Sequence, residues 1–433
     1  MRALLTGVSI AALAALSACG PKPMDPSRQI GANPYLPAIH QYLFPPMRLA
    51  KNVPWRPGEA PKVAPGLAIK ALAMGLKNPR SLYVLPNGDI LVVETSGPTP
   101  PPKRRPKEFI MDWLETKIHS SSKGHDILLL RTDAAGNVTS KSVLIDHLNS
   151  PFGVALVGGD LYVADTDALL RFPYTTGETT ITTPGVKLCD LPGGPIDHHW
   201  TKSLTASADG TKLYVGVGSN SNITENGIEA EHNRAAVWEI DRATGEHHLY
   251  ATGLRNPAGL TFEPTTQVLW AVVNERDELG PDLVPDYMTS VKQGAFYGWP
   301  YSYWGEHVDP RVKPQRPDLV AKAIPPDYSL SSHVAPLGIV FYTGADLPAA
   351  YRGGAFVGEH GSWDRSVLNG YKVVFVPFVG GRPAGMARDV VTGFVTGKTA
   401  HGRPVGVAVD SHGALLIADD VGNTVWRVTA AGG

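Results

Sequence analysis

The sequence predicts an all-β fold, a six-bladed β-propeller with an N-terminal strand closing the last blade, and three observations predict it. One phrase recurs six times: a proline or turn, a glycine, alternating apolar residues, a polar turn with glycine, then an apolar run. Gly 46 and Pro 38 are high while charged residues are only 18%, as short strands joined by many turns require. Long amphipathic helical patterns are scarce.

The copies read NPRSLYVLPNGDILVVET from Asn78, SPFGVALVGGDLYVADT from Ser150 and SLTASADGTKLYVGVGS from Ser203. They continue as NPAGLTFEPTTQVLWAVVNE from Asn256, APLGIVFYTGADLPAAYRGGAFVGE from Ala335 and RPVGVAVDSHGALLIADD from Arg403. Each encodes two antiparallel strands around a tight turn. Intervening segments such as HDILLLRTDAAGNVTSKSVLID and AAVWEIDRATGEHHLYATGL supply two more. Four strands per unit, six times at roughly 50 to 80 residues, is propeller arithmetic. The last unit, ending NTVWRVTA, has three strands of its own, and GLAIKALAMGL near residue 70 is expected to complete it, removing two sheet edges. Two stacked sandwich domains are the alternative.

Ahead of the repeats, residues 1–18 read as a lipoprotein signal peptide: Arg2, an apolar run from Ala3 to Leu16, then Leu16-Ser17-Ala18-Cys19. The run is shorter than the roughly 20 residues a spanning helix needs, so cleavage before Cys19 and its acylation are expected. An ordinary signal peptide with an incidental cysteine is the blander reading. Gly20 follows, with no Asp to retain the lipoprotein at an inner membrane, so the expected location is the periplasmic side of an outer membrane. Cys189 is the one other cysteine, which leaves no internal disulfide once Cys19 is acylated. Residues 19–65 are proline-rich and without period, a tether and wrapped arm. Residues 66–430 form the propeller.

With 39 basic and 40 acidic residues there is no electrostatic footprint for nucleic acid or a membrane surface, and a small-molecule ligand is the default. GxGxxG after a strand, GxxxxGK[ST], CxxCH, GxSxG and HExxH are all missing, which removes support for NAD, ATP, covalent haem and the corresponding hydrolases. A KRRPK cluster after the first copy reads as a solvated loop. A long insertion after the fourth copy concentrates proline, aromatic and acidic residues, as a site-building loop does; in it, Trp299, Tyr301, Tyr303 and Trp304 either give a ligand ring a stacking surface or pack the insertion. Polar residues stand at blade starts: His198 and His199 before the third copy, Arg255 and Asn256 at the fourth, Arg403 at the sixth. A lone histidine beside a strand is ordinarily a satisfied one, but equivalent positions of a propeller converge on one axis.

GLRNPAGL, the ELGPD loop, GAFYGWP, APLGIVFYTG and GRPVGVAVDSHGALLIADD together resemble the soluble quinoprotein glucose and sorbosone dehydrogenase family over roughly residues 66–430, and NSPFGVALVGGDLYVADTDALLRFPY is particularly like the sorbosone branch. The resemblance implies pyrroloquinoline quinone (PQQ) held at the propeller axis through calcium, a sugar or sugar aldehyde as substrate, and, without a haem motif, an external electron acceptor. It puts the catalytic base at His199, cofactor contacts at Arg255, Asn256 and Arg403, and calcium on the carbonyls of Gly280 and Pro281. Asp197 or His198 would orient the base. The glucose enzymes' fifth-blade lysine is missing, leaving His360 and Arg365 as its substitutes, and Val405 replaces a second sixth-blade arginine. A calcium-dependent propeller lactonase, with carboxylate and Asn ligands, and a non-catalytic ligand-binding propeller are the rivals.

Overall fold

A computed structural model describes residues 24–42, 46–99 and 122–432. The leader, Cys19 and the KRRPK cluster lie outside them. The described chain is all-β, and most of its strands assemble in sequence order into six antiparallel sheets of four or five strands, beside three sheets of two or three short strands.

The first sheet holds Pro79–Val84, Ile90–Thr95, His125–Thr132 and Val138–Ile145; the second Gly153–Val157, Asp160–Ala164, Ala168–Pro173 and Val186–Asp190; the third Lys202–Ala206, Lys212–Val217, Ala236–Asp241 and His247–Thr252. The fourth holds Pro257–Phe262, Leu269–Val273, Pro285–Ser290 and Tyr328–Ser332, and the fifth Pro336–Phe341, Ala355–Glu359, Lys372–Val376 and Arg388–Thr392. The sixth holds Pro404–Val409, Leu415–Asp419 and Thr424–Ala430, and takes its outer strand from Leu67–Met74, which pairs antiparallel from Thr424↔Met74 to Ala430↔Leu67. The leading strands of consecutive sheets touch, and that of the sixth touches that of the first.

Apolar clusters fill the spaces between neighbouring sheets. Leu169 and Tyr162 of the second, for example, pack with Leu213, Val215 and Trp238 of the third. The recurring glycine of the phrase has a steric reason. A Cβ on Gly338 would lie 2.5 Å from the Val405 carbonyl, and one on Gly406 would lie 2.8 Å from that of Arg80, so the inner strands approach more closely than any side chain permits.

The recurring proline marks a second device. In four sheets the ladder slips immediately after it, at Pro79/Ser81, Pro257/Gly259, Pro336/Gly338 and Pro404/Val407. Such bulges re-aim the extra residue out of the pleat. Arg80, Ala258, Leu337 and Val405 are among the residues so displaced, and the last three meet in one buried apolar cluster. Val405 therefore fills a buried apolar plug.

The N-terminal arm runs across three sheets. Ile30–Gly31 adds to the edge of the fourth and Lys62–Val63 to that of the fifth, while the Trp55 indole donates to Asp419 of the sixth at 2.8 Å. Gln29, fully buried, donates to the Asp282 carbonyl at 2.7 Å and accepts from Ser332 Oγ at 3.0 Å. No helix among the described residues is long and apolar enough to cross a membrane.

Candidate active site

The loop entering the third sheet carries His199. Its Nδ1 lies 2.9 Å from the Ser219 carbonyl and 3.0 Å from Ser219 Oγ, whose own proton goes to the Ser221 carbonyl at 2.6 Å. A carbonyl only accepts, so Nδ1 carries the ring proton and Nε2 keeps its lone pair. Burial, the Arg255 guanidinium and the edge-on His198 ring, 4.5 Å away, hold His199 well below the ordinary imidazole range. Neither expected orienter performs that task. Asp197 is instead paired with Arg234 at 3.0 Å, and His198 meets His199 through its ring.

Arg255 is buried beside it and engages five acceptors. Nε donates to the Asn222 carbonyl at 3.3 Å, Nη1 to those of Glu275 (2.7 Å) and Asn274 (3.4 Å), and Nη2 to Asn222 Oδ1 (3.1 Å) and Asp277 Oδ2 (3.3 Å). A guanidinium has five N–H groups, so all are in use. Asn256 differs: its Oδ1 is buried without a hydrogen-bond partner. Gly218 is required between them, since a Cβ there would strike Asn256 Oδ1 and lie 2.5 Å from His199 Cβ.

A second polar group joins the fifth, sixth and first sheets. Arg80 Nη1 lies 2.6 Å from Asp420, whose carboxylate also takes His360 Nε2 at 2.9 Å. His360 therefore points Nδ1 toward Arg403 Nη1, 3.5 Å away. Burial outweighs the Asp420 contact and, helped by Arg403 and Arg80, brings His360 to about 4. Arg403 donates to the Tyr371 hydroxyl at 2.8 Å and lies 4.8 Å above that ring. The Nε atoms of Arg80 and Arg403 are buried without partners. The Arg80 guanidinium also faces the Trp200 ring at 5.9 Å, and Trp200 follows His199 in the chain, which links the two groups.

Residues 164–362 match the family model Glucose / Sorbosone dehydrogenase, and residues 313–431 match TrAA12-like. The matched segment, just under half of the chain, is a glucose/sorbosone dehydrogenase family-model domain. A pyrroloquinoline quinone-dependent pyranose dehydrogenase of Coprinopsis cinerea is 24% identical over 360 residues, 73% of this chain; the chain spans 44% of that relative's length. An uncharacterized protein of Borreliella burgdorferi is 28% identical over 292 residues, 65% of this chain and 76% of its own. The PQQ domain of Coprinopsis cinerea pyranose dehydrogenase, solved in its holo form, superposes with a TM-score of 0.70 at 21% identity, covering 88% of this chain and 100% of that one. That likeness shows the fold.

The fold brings His199, Arg255 and Asn256 together and sets Arg403 in the neighbouring group, whereas other expected contacts are diverted. Arg365 pairs with Asp282 at 2.6 Å in full burial and donates to the Ser332 carbonyl at 3.3 Å, bracing the ELGPD loop against the fifth sheet. The Gly280 carbonyl accepts from His333 Nε2 at 3.1 Å and Leu283 N at 3.2 Å, and Gly280 and Pro281 line a cavity of about 520 Å³ under the arm. Trp299, Tyr303 and Trp304 are buried, Trp299 donating to the Asn222 carbonyl at 3.0 Å, so they pack the insertion; Tyr301 stays partly exposed.

Sequence reasoning missed Ser219, Asp277, His333 and Asp364. Asp277 Oδ1 lies 3.1 Å from His333 Nδ1, and the ligand atoms of Asp277, His333 and Asp364 fall within 4.8 Å of one another. Burial alone would lower His333, but Asp277, Asp364 and Asp286 raise it to about 9. Asp277 stood in plain view in NERDELGPD. His333 and Asp364 are remote in sequence and match no spacing motif.

Proposed function

We propose that this chain is a six-bladed quinoprotein sugar dehydrogenase: it oxidises a sugar or sugar aldehyde with PQQ and passes the electrons to an external acceptor. The observation that carries the proposal is the state of His199, a neutral imidazole with its proton fixed on Nδ1 and Nε2 left to accept. The ring of touching leading strands supports the six-bladed reading, because it gathers the starts of distant segments at one axis.

The residues present suit an anionic, many-oxygened cofactor. Arg403 and Arg80 carry buried Nε–H groups without acceptors, and Asn256 a buried carbonyl oxygen without a donor. Charge-assisted contacts from guanidinium groups are what carboxylates require. When bound, PQQ supplies an electrophilic quinone that takes a hydride equivalent. His199 Nε2 would take the proton of the sugar hydroxyl, the task of a general base. Arg255 contributes electrostatically: its donors are spent on protein acceptors, and its charge adds to burial in keeping the imidazole neutral. Of the two expected calcium ligands, the Gly280 carbonyl does not fit. Both lone pairs of the Gly280 carbonyl are engaged, so no step is assigned to calcium.

Mixing purified protein with PQQ and calcium should give saturable quinone absorbance and dye reduction with aldoses or sorbosone. His199→Ala should bind PQQ as before and lose turnover; unchanged turnover would remove His199 as base, and no quinone binding at all would remove the proposal. The paired carboxylates Asp277 and Asp364 give a metal-dependent lactonase its one structural support, and chelator-sensitive lactone hydrolysis indifferent to quinone would favour it. The leader and Cys19 support an exported protein tethered by lipid at the periplasmic face of an outer membrane, to be tested by labelling with radioactive palmitate and by Cys19→Ala.

A further inference from the structure

We infer that Asp277, His333 and Asp364 form a site for one divalent transition ion of the zinc class, separate from the Gly280–Pro281 carbonyls. The three ligand atoms lie within 4.8 Å of one another, the spacing of groups that share an ion. Asp364 is 1% exposed and its Oδ1 is buried with no hydrogen-bond partner, while its Oδ2 is occupied by the Glu278 amide at 2.9 Å. A buried carboxylate oxygen without a donor is costly and has an obvious remedy in a cation.

The surroundings are those of a metal ligand shell. His333 is 5% exposed, and its Nε2 donates to the Gly280 carbonyl at 3.1 Å, which orients the ring and turns Nδ1 toward the two carboxylates, so the Nδ1 proton is the one an ion would displace. Metal-bound histidines habitually give their second ring N–H to such a carbonyl. Asp277 is fixed likewise: Oδ2 takes Arg255 at 3.3 Å, and Oδ1 is left facing His333. His333 sits at φ 58, so the backbone holds the ring in place against the ordinary preference of a non-glycine residue. Asp277 is the most exposed of the three, at 16% for its side chain, and gives the ion a way in.

One imidazole nitrogen and two carboxylate oxygens, with a position left for water, suit zinc or manganese; calcium prefers six to eight oxygens. The ion would tie the loop between the second and third strands of the fourth sheet, which carries Asp277, to the loop after its fourth strand, which carries His333, and to the loop between the second and third strands of the fifth, which carries Asp364. Binding does not depend on the redox activity.

The test uses the full chain, stripped with chelator and titrated calorimetrically with Zn²⁺, Mn²⁺ and Ca²⁺ in separate arms, without quinone. One equivalent of Zn²⁺ should bind, Ca²⁺ should bind at least 100-fold more weakly, and Asp364→Asn should weaken Zn²⁺ at least 100-fold while its far-ultraviolet circular dichroism matches the parent. Asp277→Asn, nearer solvent, is the second variant should Asp364→Asn fail to fold. Co²⁺ in place of zinc should give visible d–d bands in the parent that His333→Gln loses. Zinc binding of equal affinity in parent and folded variants, no zinc binding by the parent, or calcium binding as tight as zinc would each overturn the assignment.

Discussion

Replacing Arg365 by Met should destabilise the protein before any ligand is added. The Arg365 and Asp282 side chains are 2% and 11% exposed and meet at 2.6 Å. Asp282 Oδ1 would lose its charged partner, leaving Oδ2 with the Met24 amide at 3.3 Å, and the Ser332 carbonyl would lose a donor. Breaking one side of a buried ion pair costs about 3–5 kcal/mol, since the remaining charge stays desolvated. At about 2 °C per kcal/mol, the lower end for a large domain, Tm should fall by roughly 6–10 °C. The double variant Arg365→Met/Asp282→Leu should recover a large part of that loss, because no charge is then stranded. The assay is thermal melting of quinone-free protein, followed by circular dichroism. A fall below about 1 kcal/mol, or a double variant worse than the sum of the singles, would refute the bracing role and return Arg365 to direct cofactor contact.

Three further outcomes follow from the same packing. Because burial and Arg255 lower the His199 pKa, its basic form persists at neutral pH, and the acid limb of kcat/KM for reconstituted enzyme should lie below pH 6.5; a limb at or above 6.5 would contradict the environment described for it. Gly338→Val should cost about 1–3 kcal/mol or more through contact with the Val405 carbonyl, read from denaturant midpoints, and a neutral result would argue against such close strands. Val405→Arg, which restores the arginine of the glucose enzymes, should lower stability by several kcal/mol instead of improving PQQ affinity, because the position is packed against Ala258 and Leu337; tighter quinone binding at parental Tm would show otherwise.

How far the site could be read from residues alone depends on distance along the chain. His199, Arg255, Asn256 and Arg403 stand at repeated places in a repeated phrase, so their convergence follows once the repeats are recognised. The Asp277, His333 and Asp364 group has no such signature, because loops from two sheets assemble it. Gly280 and Pro281 show the opposite failure: the dipeptide was conspicuous, yet hydrogen bonds from His333 and Leu283 claim the Gly280 oxygen.

The sequence by itself determined the all-β class, the six strand-turn-strand phrases and the late pairing of an early strand, because alternation, glycine and proline are local constraints that every fold of the chain must obey. Tertiary structure alone decided which polar atoms are spent and which are spare. Arg365 was claimed by Asp282, Arg255 by carbonyls and Asp277, and His199 by Ser219, whereas Asn256, Arg80, Arg403 and Asp364 each kept a buried atom unpaired. A hydrogen bond joins groups within about 3 Å whatever their separation in sequence. Which donor finds which acceptor is settled only when the sheets have packed.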